Sequence, residues 1–181
     1  AFTDDLFFPD MLHACLVFSD HPRAKILKID IAEALKAEGI ADILTAKDIP
    51  GNPVTGLIYQ DWPLMVAEGE TTNYIGDVLA IIIAKNRDQA RSARQRIQID
   101  YEILQPISDI HEAIKDTAPQ VHPGKSNILN KTFIKIGDSF PSSQTESDLW
   151  ATGIFNTQRV EHGFLEVESA VAAPTEHGIH L

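Results

Sequence analysis

The chain has 181 residues and a mass of 20.0 kDa, enough for one domain or for one domain and part of a second. Its composition, 44% hydrophobic and 23% charged, excludes a disordered tail, a collagen-like repeat and a coiled coil. The formal net charge of −11 argues against nucleic acid or an anionic membrane as a partner, because both require a basic patch. The single cysteine, Cys15, excludes an internal disulfide and a multi-cysteine metal site.

Hydrophobic patterning predicts strands alternating with short helices over the first 117 residues. The predicted strands cover residues 11–19, 23–30, 40–45, 76–85 and 97–101, and the predicted helices cover 31–38, 86–96 and 106–115. Asp30 and Gly39 are the expected cap and stop of the first helix, and Asn86 is the expected N-cap of the second.

The strongest strand pattern lies at residues 76–85. It is apolar on both faces, so we expect it to be covered on both sides, and it is far too short to cross a membrane. Together with the helix and strand that follow, it forms a strand–helix–strand unit over residues 76–101. If its two strands are parallel, the connection should be right-handed.

A stretch rich in Pro, His and Gly at residues 118–124 marks a predicted domain boundary. We expect a first domain at residues 1–117, a linker at 118–129 and an incomplete second domain at 130–181. The predicted strands of the second domain cover 130–136, 149–159 and 167–173, with a polar loop at 137–144 and a final strand at 178–181. The predicted fold class is α+β, a mixed sheet with short helices followed by antiparallel strands.

The motifs of several enzyme classes are missing from the sequence. The phosphate-binding, dinucleotide-binding, zinc-protease and serine-hydrolase signatures are absent. Asp4 and Asp5 are expected to serve a turn or a helix cap, and His177 and His180 are expected to lie on a strand rather than to bind a metal. We therefore assign neither catalytic residues nor metal ligands.

Residues 158–166 have the most unusual local composition. They place Glu161, His162 and Glu166 between apolar stretches. These three side chains are candidate cofactor-binding or substrate-binding residues, and the alternative is a polar turn whose charges pair with one another. A nucleophile, base and oxyanion set is missing.

Six segments, taken in order, resemble the molybdenum hydroxylases, the family of xanthine dehydrogenase and aldehyde oxidase. They are residues 3–5 (TDD), 24–30 (AKILKID), 45–51 (TAKDIPG), 74–80 (YIGDVLA), 100–102 (DYE) and 160–166 (VEHGFLE). The resemblance covers nearly the whole chain. It implies the α/β hammerhead domain of the large, molybdenum-binding subunit, followed by the first strands of the molybdopterin-binding region.

The resemblance also implies an activity for the complete enzyme. Members of the family hydroxylate a purine, an N-heterocycle or an aldehyde with oxygen from water. A molybdenum–molybdopterin centre takes up two electrons, which pass through [2Fe–2S] clusters to a flavin or another acceptor, and a glutamate acts as the general base. The glycine-rich stretch near the molybdopterin, the motif that supplies the base and the iron–sulfur cysteines are all absent from this chain. No catalytic residue is therefore carried over.

Three hypotheses remain. The first is a piece or small subunit of a molybdenum hydroxylase, inactive alone, cytoplasmic and partnered by the rest of the molybdopterin-binding region and by iron–sulfur and flavin domains. Both chain ends are then expected to be cuts, and apolar side chains such as Phe164, Leu165 and Val171 should be partly exposed or covered by a second copy. The second is a stand-alone, non-catalytic interaction module. The third is a small enzyme using Glu161, His162 and Glu166.

Overall fold

The structure is a computed structural model that describes residues 2–57, 59–137 and 153–181. Contacts between Cα atoms divide the chain into two compact units. One comprises Phe8–Asn127, and the other comprises Ala1–Phe7 together with Ile128–Leu181.

Short strands and helices make up the regular structure of the part that is described. In the first unit they are β1 (His13–Phe18), β2 (Ala24–Asp30), α1 (Ala32–Leu35), β3 (Ile40–Thr45), β4 (Val54–Thr55), β5 (Trp62–Pro63), β6 (Val78–Ala84), α2 (Arg87–Arg94), β7 (Gln98–Ile103) and α3 (Ile110–Ala113). A 3₁₀ turn, Ala46–Asp48, follows β3. In the second unit they are a 3₁₀ turn (Thr3–Asp5), β8 (Ala173–Thr175) and β9 (Gly178–His180).

The first unit is built on two main antiparallel sheets and one short two-stranded pair. β6 lies between β1 and β3 in a three-stranded sheet, β2 pairs with β7 in a second sheet, and β4 pairs with β5. The α+β class predicted from the sequence is confirmed. All strand pairs among the described residues are antiparallel, which corrects the expected mixed sheet. The question of crossover handedness does not arise, because β6 and β7 belong to different sheets.

Two apolar clusters form the core of this unit. Ala80, Ile82 and Ala84 on one face of β6 pack with side chains of β1, β3, α1 and α2, while Leu79 on the opposite face packs with Ile26 and Val66. This explains the unbroken apolar run of β6, since both of its faces contribute to a core.

Local capping signals in the sequence correspond to real contacts at α2. The Asn86 side chain accepts a 2.8 Å hydrogen bond from the Gln89 amide, as expected of an N-cap. At α1 the cap position is held by Ile31 rather than Asp30, although an Asp30 carboxylate oxygen accepts from the Ala32 amide at 3.1 Å. Because this helix ends at Leu35, the predicted stop residue Gly39 lies beyond its C-terminus and is the last residue of the turn before β3.

The segment 118–127, which we call the strap, overlaps the predicted linker and is fastened within the first unit. The Asn127 amide donates to the backbone oxygens of Ala113 and Pro119, and its oxygen accepts from the Val121 amide at 2.9 Å. Lys125 forms a 2.8 Å ion pair with Asp61. Side-chain bonds to the backbone therefore replace regular secondary structure here.

The second unit contains fewer regular elements than the sequence predicts. β8 and β9 form a short hairpin, so the final predicted strand is found. Residues 130–136 and 153–159 belong to no strand, residues 149–152 lie outside the described residues, and the strand predicted at 167–173 is found instead at Ala173–Thr175. An apolar strand needs a hydrogen-bonded partner, and no such partner faces these stretches among the residues described.

Large apolar side chains of this second unit lie at the surface. Phe164 is 78% exposed and Leu165 is 95% exposed, as expected from the sequence, while Val171 is half-buried. Of the helices in the described ranges, none has both the length and the apolar character needed to cross a membrane.

Candidate functional site

The segment around Glu161 forms a local turn within the second unit. A Glu161 carboxylate oxygen accepts a 3.3 Å hydrogen bond from the Gly163 amide, and Gly163 has a φ of 61°. The His162 ring stacks on Phe164 with a centroid distance of 5.7 Å. Glu161, His162 and Glu166 are all exposed. The geometry therefore resembles the polar-turn alternative more than a closed binding pocket.

A shallow cavity of about 430 Å³ lies beside this turn. It is lined by six consecutive residues, from Phe164 to Ser169. Glu166 borders this cavity, whereas Glu161 and His162 do not. The three candidate residues are thus not brought together on one surface.

The other acidic and histidine candidates do not form a binding site among the described residues. Asp5 accepts a 3.0 Å hydrogen bond from the Phe2 amide and so stabilises the first 3₁₀ turn, as expected for Asp5. His177 and His180 are exposed at the β8–β9 hairpin. Within the described ranges, no group of three or more His, Cys, Asp or Glu residues is placed to hold a metal ion.

The carboxylates with shifted pKa values in the first unit stabilise turns and caps. Hydrogen bonds from Thr45 lower the pKa of Asp48, and the backbone amides of Glu112 and His111 lower the pKa of Asp109 at the start of α3. The ion pair with Lys125 lowers the pKa of Asp61. These shifts come from local charge-assisted bonds and do not mark a catalytic acid or base.

One feature that the sequence did not indicate is a small cavity beside Arg23, at the start of β2. It has a volume of about 150 Å³ and is lined by Pro22, Arg23, Asn73, Tyr74, Pro106, Ile107 and Val121. In the strand pattern Arg23 was simply an outward polar position. The contacts that distinguish it come from residues more than 80 positions away, so no local signal could have found them.

Comparison with known protein families assigns the chain to one of them. A family described as "Aldehyde oxidase and xanthine dehydrogenase, a/b hammerhead domain" matches residues 1–105, which is more than half of the chain. The chain therefore belongs to the aldehyde oxidase and xanthine dehydrogenase family, and this region is its hammerhead domain. The resemblance drawn from the six sequence segments is confirmed.

Individual relatives extend the match across almost the whole chain. A probable xanthine dehydrogenase component from Bacillus subtilis (strain 168) is 30% identical over 174 residues, covering 96% of this chain and 23% of the relative. A nicotinate dehydrogenase large molybdopterin subunit from Eubacterium barkeri is 30% identical over 178 residues, covering 98% of this chain and 41% of the relative. The chain thus spans less than half the length of either relative.

Solved structures show the same fold. An aldehyde oxidoreductase from Desulfovibrio gigas superimposes with a TM-score of 0.65 at 29% identity, covering 70% of this chain and 15% of that one. Quinoline 2-oxidoreductase from Pseudomonas putida 86 superimposes with a TM-score of 0.56, also at 29% identity, covering 65% of this chain and 16% of that one.

The described residues do not by themselves fit a molybdopterin cofactor. The three candidate side chains are exposed and do not converge on one cavity. We therefore derive no chemical step through such a group from this chain.

Proposed function

We propose that this chain contributes the hammerhead domain and the beginning of the molybdopterin-binding region to a molybdenum hydroxylase. The observation that carries the proposal is the match to large oxidoreductase subunits along 96–98% of this chain, which corresponds to 23–41% of those subunits. The complete enzyme would hydroxylate a purine, an N-heterocycle or an aldehyde. The oxygen comes from water, and each turnover releases two electrons and two protons, with the electrons passing to an acceptor.

The proposed domain organisation has a hammerhead domain at residues 1–117, a connecting segment at 118–129 and an incomplete second domain at 130–181. Two observations support it. The family match ends at residue 105, and the contacts of the chain divide at residues 127 and 128. The strap would then form the last part of the first unit before the chain enters the second.

The proposed partner of the second unit is the rest of the molybdopterin-binding region, which lies outside residues 1–181. Residues 128–136 and 153–167 carry exposed large apolar side chains, of which Phe133, Phe155 and Leu165 are examples. A water-soluble monomer rarely exposes so much apolar surface. The remaining molybdopterin-binding region would cover it, and iron–sulfur and flavin domains or subunits would complete the electron path. A second copy of the chain is the other proposed cover. A cytoplasmic location stays a prediction.

Residues 1–181 are proposed to be inactive without that further polypeptide. Glu161, His162 and Glu166 are exposed and separate, so they form neither an acid–base pair nor a nucleophile and base. A molybdenum–molybdopterin group, where bound, would supply the redox chemistry, and this chain would supply packing surfaces for the domain that holds it.

The experiment is the intact mass of the native polypeptide together with its molybdenum content. We expect a chain several times longer than 181 residues with about one molybdenum per chain, because residues 1–181 match only 23% and 41% of the two relatives' lengths. A native mass of 20.0 kDa without molybdenum would contradict the proposal and favour the stand-alone interaction module. Turnover by residues 1–181 alone, abolished by Glu161→Gln but retained by Glu168→Gln, would instead favour the small-enzyme hypothesis.

A further inference from the structure

The Arg23 guanidinium is tied down but keeps unused hydrogen-bond donors. One terminal nitrogen donates to the backbone oxygen of Gln105 at 3.1 Å, and the other donates to the backbone oxygen of Gln120 at 3.2 Å. These two bonds fix the plane of the group. A guanidinium has five N–H donors, so three remain, including the one on Nε.

The Nε atom of Arg23 is buried and has no acceptor among the described protein atoms, and almost none of its surface is open to a water-sized oxygen. A small molecule in the cavity would therefore contact the remaining N–H groups of the two terminal nitrogens instead. The charge is also uncompensated locally, since no carboxylate of the described ranges lies within ion-pair distance of Arg23. A cationic group with unused donors and no carboxylate beside it favours an oxygen-bearing anion.

The cavity beside Arg23 has the size and lining for such an anion. Its volume of about 150 Å³ is that of roughly five water molecules, or of one small organic molecule. Pro106, Ile107 and Val121 provide an apolar wall, whereas Asn73 and the Tyr74 ring provide a polar and aromatic one. Water alone suits the polar wall, but a short hydrocarbon with a charged end suits both.

We propose that this cavity is a binding site for a small monocarboxylate, whose two oxygens accept from the remaining N–H groups of the two terminal nitrogens of Arg23 and whose short hydrocarbon part packs against Ile107 and Val121. A planar guanidinium can bind a carboxylate in a bidentate way, by donating one hydrogen bond to each of its two oxygens. A single cation in so small a space suits one negative charge better than the two of a phosphate group. All lining residues belong to the first unit, so the site does not depend on the proposed function.

The site also has a structural consequence for the strap. Arg23 holds Gln120, and Val121 lines the cavity, so a bound carboxylate would contact both the start of β2 and the strap. Binding should therefore slow amide exchange in residues 118–127, where a purely adventitious surface ion would leave exchange unchanged.

The test uses butyrate as the probe and butyramide as its neutral match, on the native polypeptide that carries these residues. Saturation-transfer NMR, which tolerates a large protein, gives the two affinities. We expect butyrate to bind in the millimolar range and at least about tenfold more tightly than butyramide. The neutral amide cannot form the charge-assisted, bidentate hydrogen bonds that the carboxylate forms. Equal affinities, or no butyrate signal up to about 50 mM, would overturn the proposal and leave the cavity to water.

Variants then assign the binding to this cavity. Arg23→Gln should weaken butyrate binding about tenfold or more. Arg23→Lys should weaken it less, because a lysine keeps the charge but loses the bidentate hydrogen bonds. Ile107→Trp fills the cavity without removing the cation and should abolish binding, which keeps the test decisive even if Arg23→Gln fails to fold. The matched control is Arg91→Gln, on the exposed side of α2, which should leave the affinity unchanged. Binding that survives both Arg23→Gln and Ile107→Trp would refute the site, whatever the native mass and molybdenum content prove to be.

Discussion

Truncation of Ile82 should be among the most damaging changes in the first unit. Ile82 is fully buried at the centre of β6, where it lies opposite Cys15 of β1 and Ile43 of β3. Ile82→Ala removes three carbon groups at about 0.8 kcal/mol each. The cavity left behind raises the expected loss of unfolding free energy to about 3–4 kcal/mol.

The neighbouring Ile83 is a matched control, since it has the same side chain on the same strand but is only half-buried. Ile83→Ala should cost about 1–1.5 kcal/mol, because the site stays open to solvent and leaves no closed cavity. Urea unfolding followed by far-UV circular dichroism measures both losses. With a slope near 2 kcal/mol per M, the midpoint for Ile82→Ala should fall by about 1.5–2 M. Equal losses for the two variants would refute the assignment of Ile82 to a closed core.

Three further predictions concern local contacts. Asn86→Ala should lower the unfolding free energy by about 1 kcal/mol, because the Gln89 amide loses its cap, and urea unfolding measures this. The pKa of Asp48 should lie below its ordinary value of 3.8 in a carboxyl NMR titration, because Thr45 donates to the charged form. Since this pKa is depressed in the folded state, the stabilisation is present at neutral pH and is lost as the pH falls through the lowered value. Asn127→Ala should speed amide exchange over the strap.

Each of these has a control or a contrary result. Asn86→Ser keeps a capping oxygen and should be nearly neutral, so an equal loss from Ser and Ala would remove the cap as the cause. For Asp48, the control is the pH dependence of the unfolding free energy in Asp48→Asn. If this free energy fell at low pH as much as in the unchanged protein, the contact with Thr45 would be contradicted. For the strap, Asn130→Ala is the control, because the Asn130 side chain bonds only to nearby residues outside the strap, accepting from the Lys131 amide at 2.8 Å and contacting Thr132 at 3.4 Å. Faster exchange over the strap in this variant as well would indicate a general effect.

Local elements of the first unit could be predicted because their signals are local. The alternation of β2, the apolar run of β6 and the Asn86 cap of α2 all depend on residues within a few positions of one another. Pairing depends on distant residues. The sequence pattern therefore could not show that β6 joins β1 and β3 while β7 joins β2.

The second unit and the site were harder to predict for a different reason. Apolar runs at residues 130–136 and 153–159 match a strand pattern, but a strand forms only where a partner supplies hydrogen bonds. Glu161, His162 and Glu166 were identified by composition, which does not say whether side chains converge. Arg23 was not singled out because Gln105 and Gln120, which fix its orientation, follow it by 82 and 97 positions.

The two cores of the first unit share a strand, and this bears on how the unit opens. Leu79 and Ile82 of β6 face different clusters, and Ile99 of β7 packs against both. Neither sheet can therefore detach while the other keeps its full packing. The amides at the centres of β1, β3, β6 and β7 should exchange with solvent through one common opening of similar free energy, so that the two sheets behave as one cooperative folding unit.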